Sequence, residues 1–328
     1  MKRRHILIAV GACVLVGISA AVATATTSCY EAFTQTSFWR TPSQAPADPN
    51  SDAYMTWLSS QVSNKYVVLR ATAMSGSSSQ GTPVYYGKKT DPHYSICHNP
   101  GFKSYSFAPQ ATDVAVPASA QTDATDNDKD MIVYNKFDHR VYWFTEMQKV
   151  NGTWCAFQMS VYDTSSNGIE KGLANATSTT NWGHHGIAPI TQAVRWDEVS
   201  QGSVPHVLEV YIPNIGCHAA VWPLDGNTYC TTTDANAVPA GAILRIRPSV
   251  DLSQIALNPQ ARVIAQALQT YGAIVGDHSG TGNAIAVKLE DTVTEGRGNL
   301  WAEAGLSSRS LSAIPLSDYQ IDTLGASR

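Results

Sequence analysis

A chain of 328 residues with 26 acidic against 22 basic side chains carries a formal charge of −4, which leaves no basic surface to neutralise a phosphate backbone. Nucleic acid is therefore not expected as a partner. With 43% hydrophobic residues, the chain has enough apolar material for one large core or two modest ones.

The first stretch reads as a leader. Lys2, Arg3 and Arg4 precede an apolar run from Ile6 to about Ala23, and Ala23-Thr24-Ala25 fits the small-x-small pattern of a signal-peptidase site. A signal peptide over 1–25 is expected, with a secreted domain over 26–328; an uncleaved anchor is the alternative. Cleavage removes three basic residues and makes the chain more acidic. No later run is long enough to cross a membrane, so membrane association after cleavage is not expected, and a monomer is. Five cysteines follow the leader, an odd number. Cys217 and Cys230 are close enough in sequence to staple one loop, and Cys97–Cys155 is the other pairing. None has the spacing of a zinc knuckle.

In chain order, Asp48-Pro49 opens a short helix with Met55, Leu58 and Val62 as its apolar stripe. Short β-branched runs follow at "KYVVLRAT" (65–72), "TPVYYG" (82–87) and "TDVAVP" (112–117). The segment 119–130 reads as a polar loop. Within it, Asp126, Asp128 and Asp130 begin a calcium-loop pattern that Met131 breaks where glycine is needed, so a solvated acidic loop is expected. An antiparallel meander is predicted over 129–164, with Asn151-Gly152 as a type I′ turn. A second helix spans Asn258 to Tyr271, N-capped by Asn258, with Pro259 in the first turn and Gly272 as terminator. The strand "AIVGD" follows and ends at Asp277. Many strands and few helices predict a mainly β fold, a β-sandwich or jelly-roll-like single domain with a few peripheral helices.

Four segments concentrate reactive side chains: "NWGHHG" (181–186), "PHVLEVYIP" (205–213), "GCHAAVWPLDG" (216–226) and "YGAIVGDHSG" (271–280). Alternation along 206–212 puts Glu209 and Tyr211 on one face and His206 on the other. Asp277, at a strand end, can orient a histidine, act as a base or cap its turn. "GDHSG" lacks the spacing of a serine-hydrolase elbow. His184, His185, His206, His218 and Asp277 could supply zinc ligands, but H-E-x-x-H is absent; no cofactor is expected, with zinc and calcium as minor alternatives. Eight tryptophans and fourteen tyrosines suit stacking on sugar rings. Trp182 and Trp222 are the two placed in a groove.

The segments "SFWRTP" with "DPNSDAYM", "GIAPITQAVRWDEV" with "PHVLEVYIP", and "GAILRIRPSVDL" with "ARVIAQALQTYGAIVGDHSG" resemble a group of secreted bacterial β-rich proteins. The resemblance implies secretion and a single β-rich unit, and it points to His206 and Asp277. It brings no activity with it.

The function expected is a secreted carbohydrate-active enzyme that cleaves a polysaccharide. As a lyase it would use His185, His206 or Tyr211 as base, with Arg195 neutralising a uronate carboxylate. As a glycoside hydrolase it would use two carboxylates, Glu209 with Asp277 or Glu198 with Asp277. His218 joins Trp182, Trp222 and Arg195 as a substrate contact. The alternatives are a secreted carbohydrate-binding or cell-surface protein without catalysis, and a secreted metalloenzyme.

Overall fold

The computed structural model describes residues 30–77, 80–98, 112–169, 186–218, 220–224, 230–279 and 283–327. The leader, Cys29, His184, His185 and Trp182 lie outside the described residues.

The described residues form fifteen strands and four α-helices. In chain order the strands are β1 (Val68–Arg70), β2 (Val84–Gly87), β3 (His93–Tyr94), β4 (Cys97–His98), β5 (Val114–Ala115), β6 (Met131–Asn135), β7 (Arg140–Thr145) and β8 (Gln148–Val150). They continue with β9 (Thr153–Ala156), β10 (Gln158–Asp163), β11 (Leu208–Ile212), β12 (Ile243–Ile246), β13 (Ala273–His278), β14 (Ala286–Lys288) and β15 (Tyr319–Ile321). The helices are α1 (Ser51–Gln61), α2 (Trp196–Ser200), α3 (Pro259–Thr270) and α4 (Leu300–Glu303). The fold is mainly β, as the sequence predicts. Its main sheet has six strands in the order β1-β14-β11-β13-β12-β15, and a second has the order β10-β7-β6-β2. Pairing is mixed: β1–β14, β11–β13, β2–β6 and β4–β9 are parallel. An all-antiparallel jelly roll has no such pairs.

The four-stranded sheet is buried on both faces. Ile132, Tyr134, Val141, Trp143 and Tyr162 join the core of the six-stranded sheet. Met131, Val133, Tyr142, Phe144, Met159 and Val161 form a second core with Trp154 and Ile96. Two-sided burial explains why "MIVYN" has no polar alternation.

The expected meander is present but divided. Residues 139–150 break at Glu146 (φ 47°) into β7 and β8, and residues 153–164 divide into β9 and β10. The Asn151-Gly152 turn joins β8 to β9, with φ of 51° and 83°, both positive as a type I′ turn requires. The half-strands β8 and β9 leave the main meander and form a separate small sheet, in which β9 pairs with β4. Cys97 lies opposite Cys155 in the β4–β9 pair and is bonded to it, and Cys217 is bonded to Cys230.

α3 positions the strand that matters most below. The Asn258 side chain accepts from the amides of Gln260 (2.9 Å) and Ala261 (3.4 Å), which caps two N–H groups with no helical partner. Ile264 and Leu268 are fully buried. Gly272 turns the chain at φ +75°, and β13 begins at the next residue. Among the described residues no helix is long and apolar enough to cross a membrane.

Candidate functional site

A single irregularity in the main sheet gathers its polar groups. β11 and β13 run parallel with Glu209 opposite Ile274 and Val210 opposite Val275, but the next pair is Tyr211 with Asp277. Gly276 is the extra residue of a β-bulge. Paired residues in a sheet project from the same face, so the bulge turns Asp277 onto the face of Glu209 and Tyr211; in regular register it would point the other way. Glycine leaves room here, because a Cβ on Gly276 would overlap the Glu209 carboxylate and crowd Ile187. On the other side of β11, Tyr211 lies opposite Ala286 of antiparallel β14. Alternation then brings Lys288 onto the same face, and the pairing of Lys288 with Arg70 extends the row to β1.

Above this row lies a cleft of about 90 Å³, lined by Arg70, Gln80, Asp128, Tyr211, Asp277, His278, Ser279 and Lys288. Lys288 Nζ is 3.0 Å from Asp130 Oδ2 and 4.8 Å from the centre of the Tyr211 ring. Burial works against the Lys288 charge, but Asp130 and Asp126 outweigh it and push its proton affinity up. Tyr211 donates to Glu209 Oε2 at 3.2 Å. Burial and the Glu209 carboxylate hold the phenol well above its ordinary range, so Tyr211 keeps its proton. Burial also raises the Asp126 carboxyl to about 6, against the pull of Lys288.

The segment 119–130 is a loop with half of its residues exposed, but not all of its acidic side chains are solvated. Asp126 and Asp130 are each 5% exposed, because Lys288 supplies the charge that makes their burial tolerable. Asp130 is committed to that lysine, and Asp126 Oδ1 accepts from the Asp128 amide at 3.1 Å. Among the described residues no three His, Cys, Asp or Glu side chains are grouped as metal ligands.

Of the residues the sequence singles out, Glu209, Tyr211 and Asp277 come together. His206 and Arg195 belong elsewhere. His206 is fully buried, its Nδ1 2.8 Å from the Val207 carbonyl and its Nε2 3.1 Å from Glu198 Oε1. Arg195, 1% exposed, pairs with Glu198 and donates to the Tyr86 hydroxyl at 2.8 Å. Burial alone would raise the Glu198 carboxyl, but Arg195 and His206 reverse this and hold it at about 2. This network consumes its own charges and none of its members lines the cleft. Arg195 therefore does not meet a substrate there, and Glu198 does not pair with Asp277 across it.

Trp222 is half-buried, 4.7 Å from the Phe38 ring in an edge-on contact, and His218 is exposed next to Gly216; neither lines the cleft. The sequence reading misses Arg70, Lys288, Asp128 and Ser279. For the two cations a signal was present, since each sits inside a run of apolar residues, in "VVLRA" and "IAVKL". No protein-family model, no curated protein and no solved structure matches this chain.

Proposed function

We propose that the protein is a secreted enzyme that cleaves a polysaccharide by hydrolysis, with the cleft over β11 and β13 as its active site. The observation that carries the reading is the bulge at Gly276. It places Asp277 on the cleft beside Tyr211 and Glu209, at the cost of an irregular main sheet. Irregular backbone that re-aims a side chain concentrates at functional sites.

Tyr211 favours hydrolysis over elimination. A lyase needs a base to take the proton next to a uronate carboxylate, and a phenol that burial and Glu209 hold protonated is a poor base. Its single proton is given to Glu209 Oε2. Hydrolysis of a glycosidic bond needs two carboxyl groups, and Asp277 and Asp128 line the cleft from different chain segments. Asp277 is assigned the role of base or nucleophile and Asp128 that of the acid that protonates the leaving oxygen. Two disulfides among the described residues fit an oxidising compartment, consistent with export.

The test is digestion of neutral and uronic polysaccharides by the purified protein, with products read by mass spectrometry and ultraviolet absorbance. Fragments that have gained water, lost on Asp277→Asn, are expected. Fragments with an unsaturated end would instead make it a lyase. Binding without fragments from any polymer would make it a carbohydrate-binding protein.

A further inference from the structure

Four cationic side chains are buried among the described residues: Arg70, Arg195, Arg245 and Lys288. Three have carboxylate partners, Arg195 with Glu198, Arg245 with Asp322 at 2.9 Å and Lys288 with Asp130 at 3.0 Å. Arg70 does not. It is 7% exposed, and its Nη1 donates to the neutral amide oxygen of Gln80. Asp126 acts on this guanidinium through space without forming an ion pair, so its burial is costly, and the fork has further N–H groups to offer an acceptor in the cleft.

A second group in the same cleft has the same need. Ser279 is 5% exposed and its Oγ has no hydrogen-bond partner among the described residues, while its amide is fixed on the Ile212 carbonyl at 2.8 Å. Buried hydroxyls are nearly always satisfied in native structures. Arg70 and Ser279 both line the cleft, whose volume of about 90 Å³ has room for one small substituent beside them.

We propose that Arg70 and Ser279 form a subsite for one oxyanion carried by a sugar, a uronate carboxylate or a sulfate ester. The proposal rests on the cleft being the substrate cleft of the preceding section, and it makes that substrate an acidic polysaccharide. A guanidinium fork matches two oxygens of either group, and the serine hydroxyl can donate to one of them. Asp128 and Asp277 line the same cleft and repel anions. Selectivity therefore comes from these two donors at short range and not from a general positive field. It follows that the subsite discriminates by geometry.

The test is calorimetric titration of the purified protein with glucuronate, glucose 6-sulfate and glucose, repeated on R70Q, R70K and S279A. Circular dichroism melts report folding. At least one anionic sugar should bind about tenfold or more tightly than glucose, and its preference over the other names the substituent. R70Q should lose about tenfold or more, R70K less, and S279A a few-fold. Equal binding of glucose and both anions, or undiminished binding by folded R70Q, overturns the subsite. Should R70Q fail to fold, S279A and the anion-against-glucose comparison decide. The two proposals fail separately. Cleavage of neutral polymers with no preference for anions removes the subsite and leaves the hydrolase, whereas anion binding without cleavage of any polymer removes the hydrolase and leaves the subsite.

Discussion

The Arg195–Glu198–His206 network and the Arg70–Lys288–Asp277 cleft are built from the same kinds of side chain, yet they do different things. In the first, each ionic group is answered inside the network: Glu198 lies between the guanidinium and the imidazole, and the hydroxyl of Tyr86 takes a further N–H. Only Arg195 Nε lacks a hydrogen bond, 4.0 Å from Asp197. In the second, one cation has no carboxylate at ion-pair distance and one buried hydroxyl has no hydrogen-bond partner among the described residues, and space adjoins them. Reactive residue types alone do not mark a site. Unanswered polar groups beside open volume do.

The sharpest way to break this contrast is to damage the closed network. Glu198→Ala leaves Arg195 and His206 buried without their shared carboxylate. About 3–5 kcal/mol of stability should be lost, read from urea denaturation. The same group sets a pH dependence. Its carboxyl falls from an ordinary value of 4.5 to about 2 in the folded state. Stability from a depressed carboxyl is present above the unfolded value and is lost as pH falls through the folded one. Unfolding should therefore steepen between about pH 5 and about pH 2 in the native protein, and Glu198→Gln should flatten that limb. An unchanged acid limb would show that the network is not what holds the charge.

Asp277→Asn is the mirror experiment. Turnover should fall by about 10²–10⁴-fold if Asp277 acts on a proton or a bond, while the denaturation midpoint stays near the native value. If stability fell and turnover did not, Asp277 would be a turn residue, the bland alternative for a carboxylate at a strand end.

How far these two regions could be told apart from sequence is instructive. Alternation along 206–212 assigns Glu209 and Tyr211 to one face, where the structure joins them by a hydrogen bond, whereas His206 precedes β11 and is held by Glu198. The caps at Asn258 and Gly272 locate α3 and the start of β13 to the residue. The bulge is invisible to the same reasoning, because strict alternation after Val275 directs Asp277 to the wrong face. The partner of His206 is equally hidden: Glu198 sits eight residues earlier on another element, and only the tertiary fold joins them. Lys288 could not be matched with Asp130 for the same reason, so the acidic segment read as solvated. Local rules recover elements and faces. They do not recover which charges neutralise which.

Gly276→Ala probes the link between backbone and chemistry at intermediate cost. The added methyl overlaps the Glu209 carboxylate, so either the bulge closes or Glu209 moves. A loss of about 1–3 kcal/mol is expected from overpacking, with a larger fractional loss of turnover, since a closed bulge displaces Asp277, which is assigned to the reaction. Stability loss without a change in turnover would detach the bulge from function.

The smallest effect calibrates the rest. Asp52 pairs with Arg247 at 2.6 Å, closer than several of the buried pairs, but its side chain is 87% exposed. Water already solvates both partners and salt screens them, so the short distance carries little free energy. Asp52→Asn should leave both the denaturation midpoint and turnover unchanged within error, in low and high salt alike. If this exposed pair proved as important as Glu198, then contact distance and not burial would rank the charges of this protein, and the contrast between network and cleft would lose its basis.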